Sequence, residues 1–181
     1  MQKIPTLFVR DPDDRAHVLP EVNPECQWVL DGEGVATRKY DGTCVMFDGR
    51  DWLARREVKA GKAAPPGFRP VQVDVVTGKA VGWEWMGQSP FAKFFDEAWR
   101  SVGCTWKIGT YELCGPKVQG NPENYDRHTL VEHRTADRFD LPDRSFDALR
   151  RWLLANDYEG LVFHHPDGRM AKIKRRDFAG G

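Results

Sequence analysis

What the sequence lacks narrows its possibilities first. No stretch of the 181 residues approaches the roughly 20 consecutive apolar positions that a bilayer-spanning helix needs. The N-terminal MQKIPTLFVRDPDD also has no long apolar run and no small-residue cleavage site, so no membrane partner and a cytoplasmic address are expected. Cysteine is sparse and irregularly spaced: Cys26, Cys44, Cys104 and Cys114 form no C-x-x-C pair. A zinc ribbon or a disulfide framework therefore has little support, and reduced, mostly buried thiols are expected. Net charge is missing as well. Lys plus Arg and Asp plus Glu number 27 each, so the molecule has no overall basic field to attract a polyanion. Any such site must be a local patch, and the candidates are RREVKAGK, from Arg55 to Lys62, and KIKRR, from Lys172 to Arg176. Internal repeats and low-complexity tracts are absent too.

What is present is ample material for a core. Hydrophobic residues make up 40%, with 7 Trp and 10 Phe, which excludes a disordered chain. The length favours a single domain over residues 1–181. The segment GKAAPPGFRP, residues 61–70, reads as a surface loop within it, because Pro65, Pro66 and Gly67 interrupt any regular element. Two helices are legible. In SPFAKFFDEAWR, Ser89 is placed to cap and Pro90 suits the first turn, with Phe91, Phe94, Phe95, Ala98 and Trp99 forming a core stripe. In PDRSFDALRRWLLAND, Asp143 can cap, Phe146, Leu149 and Leu153 share a face, and Asn156 marks the stop. Most of the remainder, including GVATRKY, TCVMF, DWLARREV, KIGTYELCG and GLVFHHPDGRMAKIKRR, reads as short strands joined by Gly-containing turns. The expected class is α+β, mainly antiparallel sheets with a few helices.

Four places along the chain combine charge with an apolar strand pattern: Lys39-Tyr40-Asp41-Gly42, Glu112 in YELCG, Glu159-Gly160 in EGLVF, and Lys172-Ile173-Lys174. Each alone has a plain reading. A K-x-D-G is short enough to arise by chance as a strand end and turn, a bare KIK is an edge strand with a solvated face, Glu112 is a strand-end glutamate, and Glu159 ends a helix-to-strand connector before LVF. Strand periodicity adds that Lys172 and Lys174 point together while Ile173 turns to the core.

In this order the set resembles the motifs of the covalent nucleotidyltransferase superfamily, the ATP-dependent RNA and DNA ligases and mRNA capping enzymes. KYDGTCV and YELCGPKVQGNPE are most similar to stand-alone 5'-to-3' RNA ligases, and the resemblance runs from about Val35 to Asp177. It implies a ligase-type nucleotidyltransferase (adenylation) domain and an ATP-dependent RNA ligase. Lys39 would be the catalytic nucleophile, forming lysyl-AMP. The AMP would pass to an RNA 5'-phosphate, and a 3'-hydroxyl would displace it. Asp41, Gly42, Arg55, Glu112, Lys172 and Lys174 would bind nucleotide with Lys39, and Glu159 would associate with Mg²⁺ or Mn²⁺. Arg56 beside Arg55 is the alternative match, and strand alternation allows only one of them to face a site. The base would stack on Tyr125, Leu130 or His133.

The chemistry explains the residue types. A lysine of ordinary pKa, about 10.4, is almost wholly protonated at neutral pH, so its site must activate it. Burial and the cations Lys172 and Lys174 favour the free amine, whereas Asp41 and phosphates oppose it. In an extended segment Asp41 shares a face with Lys39 and can orient the amine or a ribose hydroxyl, and Gly42 lets the chain turn close to a ligand. One position departs from the family pattern. Arg38 stands where an acidic residue often accepts from the adenine amino group, and a guanidinium cannot accept, so either a backbone carbonyl reads the base or base preference is relaxed.

Three other functions remain open at this level. A DNA ligase and a capping guanylyltransferase usually carry an added OB-fold, for which the four residues after Asp177 leave no room unless a partner chain supplies it. A non-catalytic nucleotide- or RNA-binding module would use WLARREVK and GWEW for charge and stacking. The histidines His128, His133, His164 and His165 lack metal-site spacing within a strand and are expected to be structural or RNA-contacting.

Overall fold

The computed structural model describes residues 2–101 and 105–178. Cys104 lies outside the described residues. The fold is α+β: among the described residues twelve short strands, every ladder between them antiparallel, accompany three α-helices. No helix among the described residues is long and apolar enough to cross a membrane. Two compact units emerge. One unit, called central because of its place in the sequence, takes in Asp41–Thr135 with the N-terminal residues up to Lys3, and the other, whose segments flank it in the sequence, takes in Ile4–Tyr40 and the chain from Ala136 on. The K-Y-D-G tetrapeptide is divided by this boundary.

The flanking unit begins with a ribbon of β1 (Phe8–Arg10) and β2 (Val18–Val22), followed by the short helix α1 (Gln27–Leu30). Its main sheet contains β3 (Val35–Lys39), β10 (Arg138–Phe139), β11 (Gly160–His164) and β12 (Met170–Lys174) in the order β10-β3-β11-β12. Register decides which face each residue takes. Ala36 pairs with Phe163, Phe163 with Ala171, and Leu161 with Ile173, so these five apolar residues share one face and form a fully buried core. Onto it pack Leu149 and Leu153 of α3 (Phe146–Ala155), with Phe8, Phe146 and Phe178 edge to face. β12 ends the sheet order, yet its outer edge is not bare. Leu7 N–H donates to Lys172 O at 2.7 Å and Lys172 N–H to Pro5 O at 3.0 Å, so the N-terminal segment closes it. The turn joining β11 to β12 is held by His165 N–H to Arg169 O at 2.9 Å, and Gly168 takes a φ of 95° there.

The expected cap of α3 is corrected. Ser145, not Asp143, is the N-cap and accepts from Ala148 N–H. Asp143 instead accepts from Ser145 N–H at 2.9 Å, tightening the turn before the helix. Asn156 does end it, its side-chain amide donating to Trp152 O at 2.7 Å.

The central unit is built on one six-stranded sheet, ordered β6-β7-β5-β4-β8-β9. Its strands are β4 (Thr43–Phe47), β5 (Trp52–Val58), β6 (Arg69–Val73), β7 (Ala80–Trp85), β8 (Gly109–Cys114) and β9 (Thr129–Glu132). Helix α2 (Ala92–Arg100) contributes Phe95 and Ala98 to a core with Val45, Ala54, Tyr111 and Leu113. Three readings of this region change. Helix α2 starts at Ala92 with Phe91 at the cap, and the Ser89 hydroxyl accepts from Phe91 N–H one turn early. Trp99, assigned to the core stripe, is 45% exposed, because rotation along the helix carries it to the rim of that stripe. Arg69 and Pro70, placed in a loop, open β6. It is the outermost strand, where a proline's missing N–H is tolerated.

The described cysteines Cys26, Cys44 and Cys114 are reduced thiols, the first and last buried. Burial, reinforced by the charge of Glu25, pushes the Cys26 thiol up to about 11, leaving it protonated and inert at neutral pH.

Gly42 has a packing role in the fold itself. A Cβ there would lie 2.2 Å from Leu113 O and 2.9 Å from the Cys114 sulfur, so the glycine lets β4 approach β8. Gly42→Ala is therefore expected to destabilise the protein by about 1–3 kcal/mol, since the clash is with backbone that cannot move aside. Urea unfolding would show it as a lower midpoint, and an unchanged midpoint would contradict it.

Candidate functional site

The face of the flanking sheet opposite its core carries the lysines. Gly160 of β11 is the direct cross-strand partner of both Lys39 on β3 and Lys174 on β12, so the two lysines flank a residue with no side chain. Glu159 precedes it and fills the gap. Its Oε2 accepts from Lys39 Nζ at 2.5 Å and its Oε1 from Lys174 Nζ at 2.5 Å, one oxygen to each ammonium. The side chains are 21%, 16% and 9% exposed for Lys39, Lys174 and Glu159, so screening by water is partial and the attraction correspondingly stronger than on an open surface. Lys39 Nζ also donates to Tyr40 O at 3.4 Å.

The main chain around Glu159 and Lys174 is also tied down. Glu159 O accepts from Arg175 N–H at 2.8 Å, and the buried Asp177 accepts from Lys174 N–H at 2.9 Å and from Arg10 Nη2 at 2.7 Å. Lys172 lies on the same face one strand period away, opposite Val162, while Ile173 between the two lysines is fully buried, as strand periodicity requires. A Cβ on Gly160 would meet Ile173 O at 2.2 Å.

Arg38 is turned away from this group. Its partner is Leu161, so its side chain leaves the core-side face of β3, the face opposite Lys39. There its guanidinium lies between the Tyr40 and Tyr158 rings, 4.5 Å from each centroid, and pairs with Asp137 at 3.6 Å. This double stacking gives the arginine a structural task that a carboxylate could not perform.

In the central unit alternation separates the two adjacent arginines. Ala54, in the core, shares its face with Arg56, which approaches the buried Glu84 at 4.0 Å. Arg55 leaves from the other face, together with Cys44 and Glu112, which are direct cross-strand partners. Glu112 is buried and doubly engaged: Oε1 accepts from Gly42 N–H at 3.2 Å, and Oε2 lies 2.9 Å from His133 Nε2. Nearby, Glu123 Oε1 accepts from Asp41 N–H at 2.9 Å. Lys39, Glu159, Lys172 and Lys174 thus belong to the flanking unit, and Asp41, Gly42, Arg55 and Glu112 to the central one.

The His133 to Glu112 contact escaped sequence reasoning. Reading His133 within a strand missed that the chain turns into a 3-10 segment, His133–Thr135, directly after β9. The other histidines have structural partners. His128 is buried, stacked on Phe94 and 2.8 Å from Glu97. His164 meets Thr37 Oγ1 at 3.0 Å, and His165 pairs with Glu33 at 2.6 Å. Of the proposed base-stacking residues, Leu130 packs against the core instead. Trp83 of the GWEW segment is buried, whereas Trp85 is 60% exposed.

The loop following Glu112 carries conformational strain. Lys117, Gln119, Asn121 and Asn124 all have positive φ, and among the described residues no other non-glycine does. No model of a known protein family matches the chain, and no curated protein matches it.

Proposed function

We propose that the chain is an ATP-dependent RNA ligase of the covalent nucleotidyltransferase type, with Lys39 as its nucleophile. What carries the proposal is the pairing of Lys39 and Lys174 with the two oxygens of Glu159 across Gly160. A nucleophilic lysine needs a fixed position and a nearby proton acceptor, and this geometry supports both. In the proposed step Lys39 Nζ attacks the α-phosphorus of ATP. The Lys39 ammonium first gives a proton to Glu159 Oε2, because only the free amine has a lone pair; the P–N bond then forms, the bond to the pyrophosphate oxygen breaks, and the second amine proton goes to solvent as pyrophosphate leaves. Lys172 and Lys174 then face the phosphate oxygens, where their charge opposes the build-up of negative charge. RNA with a 5'-phosphate and a 3'-hydroxyl is the proposed substrate, and a cytoplasmic setting belongs to the same reading.

The nucleotide-binding roles of Asp41, Gly42, Arg55 and Glu112 rest on the resemblance alone. The metal role of Glu159 meets a physical objection: each of its oxygens already faces an ammonium, so a divalent ion brought to either one would stand against two positive charges. That is a poor fit for a resident metal, and no step above runs through one. Mg²⁺ or Mn²⁺ is proposed as the companion of ATP, whose phosphates are hard oxygen donors.

Incubating the protein with ATP and Mg²⁺ should raise its intact mass by one AMP, and GTP should not. A nicked RNA duplex should then be sealed in preference to nicked DNA. A mass unchanged by ATP with either metal would overturn the reading.

A further inference from the structure

We propose that Cys44, Glu112 and His133 form a binding site for a zinc-class divalent ion, with a fourth position open. The Cys44 sulfur, a Glu112 oxygen and a His133 ring nitrogen all lie within 4.8 Å of one another. Cys44 of β4 and Glu112 of β8 are direct cross-strand partners, so ladder register fixes their spacing, and His133 stands one residue beyond Glu132, the last residue of the neighbouring strand β9. In a tetrahedral ion with bonds of about 2.0–2.3 Å, neighbouring ligand atoms stand somewhat over 3 Å apart. The 2.9 Å between His133 Nε2 and Glu112 Oε2 needs to open only slightly to admit one.

The donors select the class of ion. A thiolate beside an imidazole and a carboxylate suits Zn²⁺ or Co²⁺, whereas Mg²⁺ and Ca²⁺ require oxygen ligands. With Cys44 and Glu112 each contributing a negative charge, a divalent ion makes the cluster neutral, which favours it in a site where Glu112 is buried.

Outer contacts are already those of a metal site. His133 Nδ1 is 2.9 Å from Thr110 Oγ1 and Glu112 Oε1 accepts from Gly42 N–H, leaving Nε2 and Oε2 to face the ion. In the tautomer whose Nε2–H donates to Glu112, Nδ1 is left to accept from the Thr110 hydroxyl. On binding, the ring proton moves to Nδ1 and is donated to the same hydroxyl, which can serve either tautomer. The thiol proton of Cys44 goes to solvent. Three protein ligands leave a position for water or another donor, unlike a closed structural site.

The inference does not depend on the proposed ligase activity and is tested without it. Metal-free full-length protein is titrated with Co²⁺. The expected result is saturation at one equivalent, with sulfur-to-cobalt charge-transfer absorption and intense tetrahedral bands, both erased by Zn²⁺. Cys44→Ser should remove the charge-transfer band. His133→Gln should weaken binding at least tenfold, and Thr110→Val should weaken it by about 10- to 100-fold, the usual range for an outer-shell partner. Cys26→Ser and Cys114→Ser should leave the spectrum unchanged. Wild-type protein that shows no sulfur-to-cobalt band, or a band that persists in folded Cys44→Ser, would overturn the assignment.

Discussion

Lys39→Arg and Lys39→Ala should both be devoid of covalent label after incubation with α-phosphate-labelled ATP, a loss of more than a thousandfold, while remaining folded. The two variants separate charge from nucleophilicity. Arginine keeps a cation opposite Glu159, but its guanidinium is never deprotonated in a protein and cannot attack phosphorus. Alanine removes the cation as well. Neither change should unfold the chain, because Lys39 is the last residue of β3 and pairs with Gly160 through backbone. Glu159 would keep Lys174 in the alanine variant, so the stability loss should lie between the ~1 kcal/mol of an exposed ion pair and the ~3 kcal/mol of a broken buried one. Circular dichroism and urea melts establish the fold, and autoradiography establishes the label. Labelling that survives in either variant would remove Lys39 from the mechanism.

Glu159→Gln should be the more damaging change for stability. The carboxylate is the shared counter-ion of two ammoniums that are themselves mostly buried, and an amide leaves both uncompensated. A loss of about 2–4 kcal/mol follows from the penalty of breaking a desolvated pair. Adenylation should slow by about 10²-fold or more, the usual worth of a positioned proton acceptor. Adding Lys174→Met to Glu159→Gln should recover part of the stability, because one stranded cation is gone, without recovering the rate. A coupling energy of about 1 kcal/mol or more between positions 159 and 174 would express this in a double-mutant cycle. If Glu159→Gln melts with wild type and shows no coupling to position 174, the shared counter-ion account fails.

The strand pattern was legible because burial leaves a period of two. Ile173 between two lysines, and Arg55 beside Arg56, already stated which residues face alike, although not which arginine shares the face of Glu112. Helix cores were legible for the same reason, down to Leu149 and Leu153. Less could be read where a local preference competes with its neighbours. Asp143 and Ser145 are both good caps, and only the chain path before α3 decides between them. Strands β1, β2 and β10 escaped because each is short and draws its order from partners distant in sequence.

At the candidate site, sequence order identified the charged groups but not their pairing. Nothing near Glu159 announces that both its oxygens are committed to lysines. Arg38 is the reverse case. Judged against a motif it was an anomaly, whereas stacked between Tyr40 and Tyr158 it is an ordinary rim cation.

The β11–β12 hairpin makes the charged face a matter of counting. The residues between His164 and Met170 set the parity with which β12 meets β11. One inserted residue that shifts the whole strand would invert it, turning Lys172 and Lys174 into the core and Ile173 outward. Two would restore the parity but carry Lys174 past Glu159. Substitutions in that turn can therefore be neutral where a change in its length is not, even though the turn lies at the opposite end of the hairpin from the Gly160–Lys174 pair.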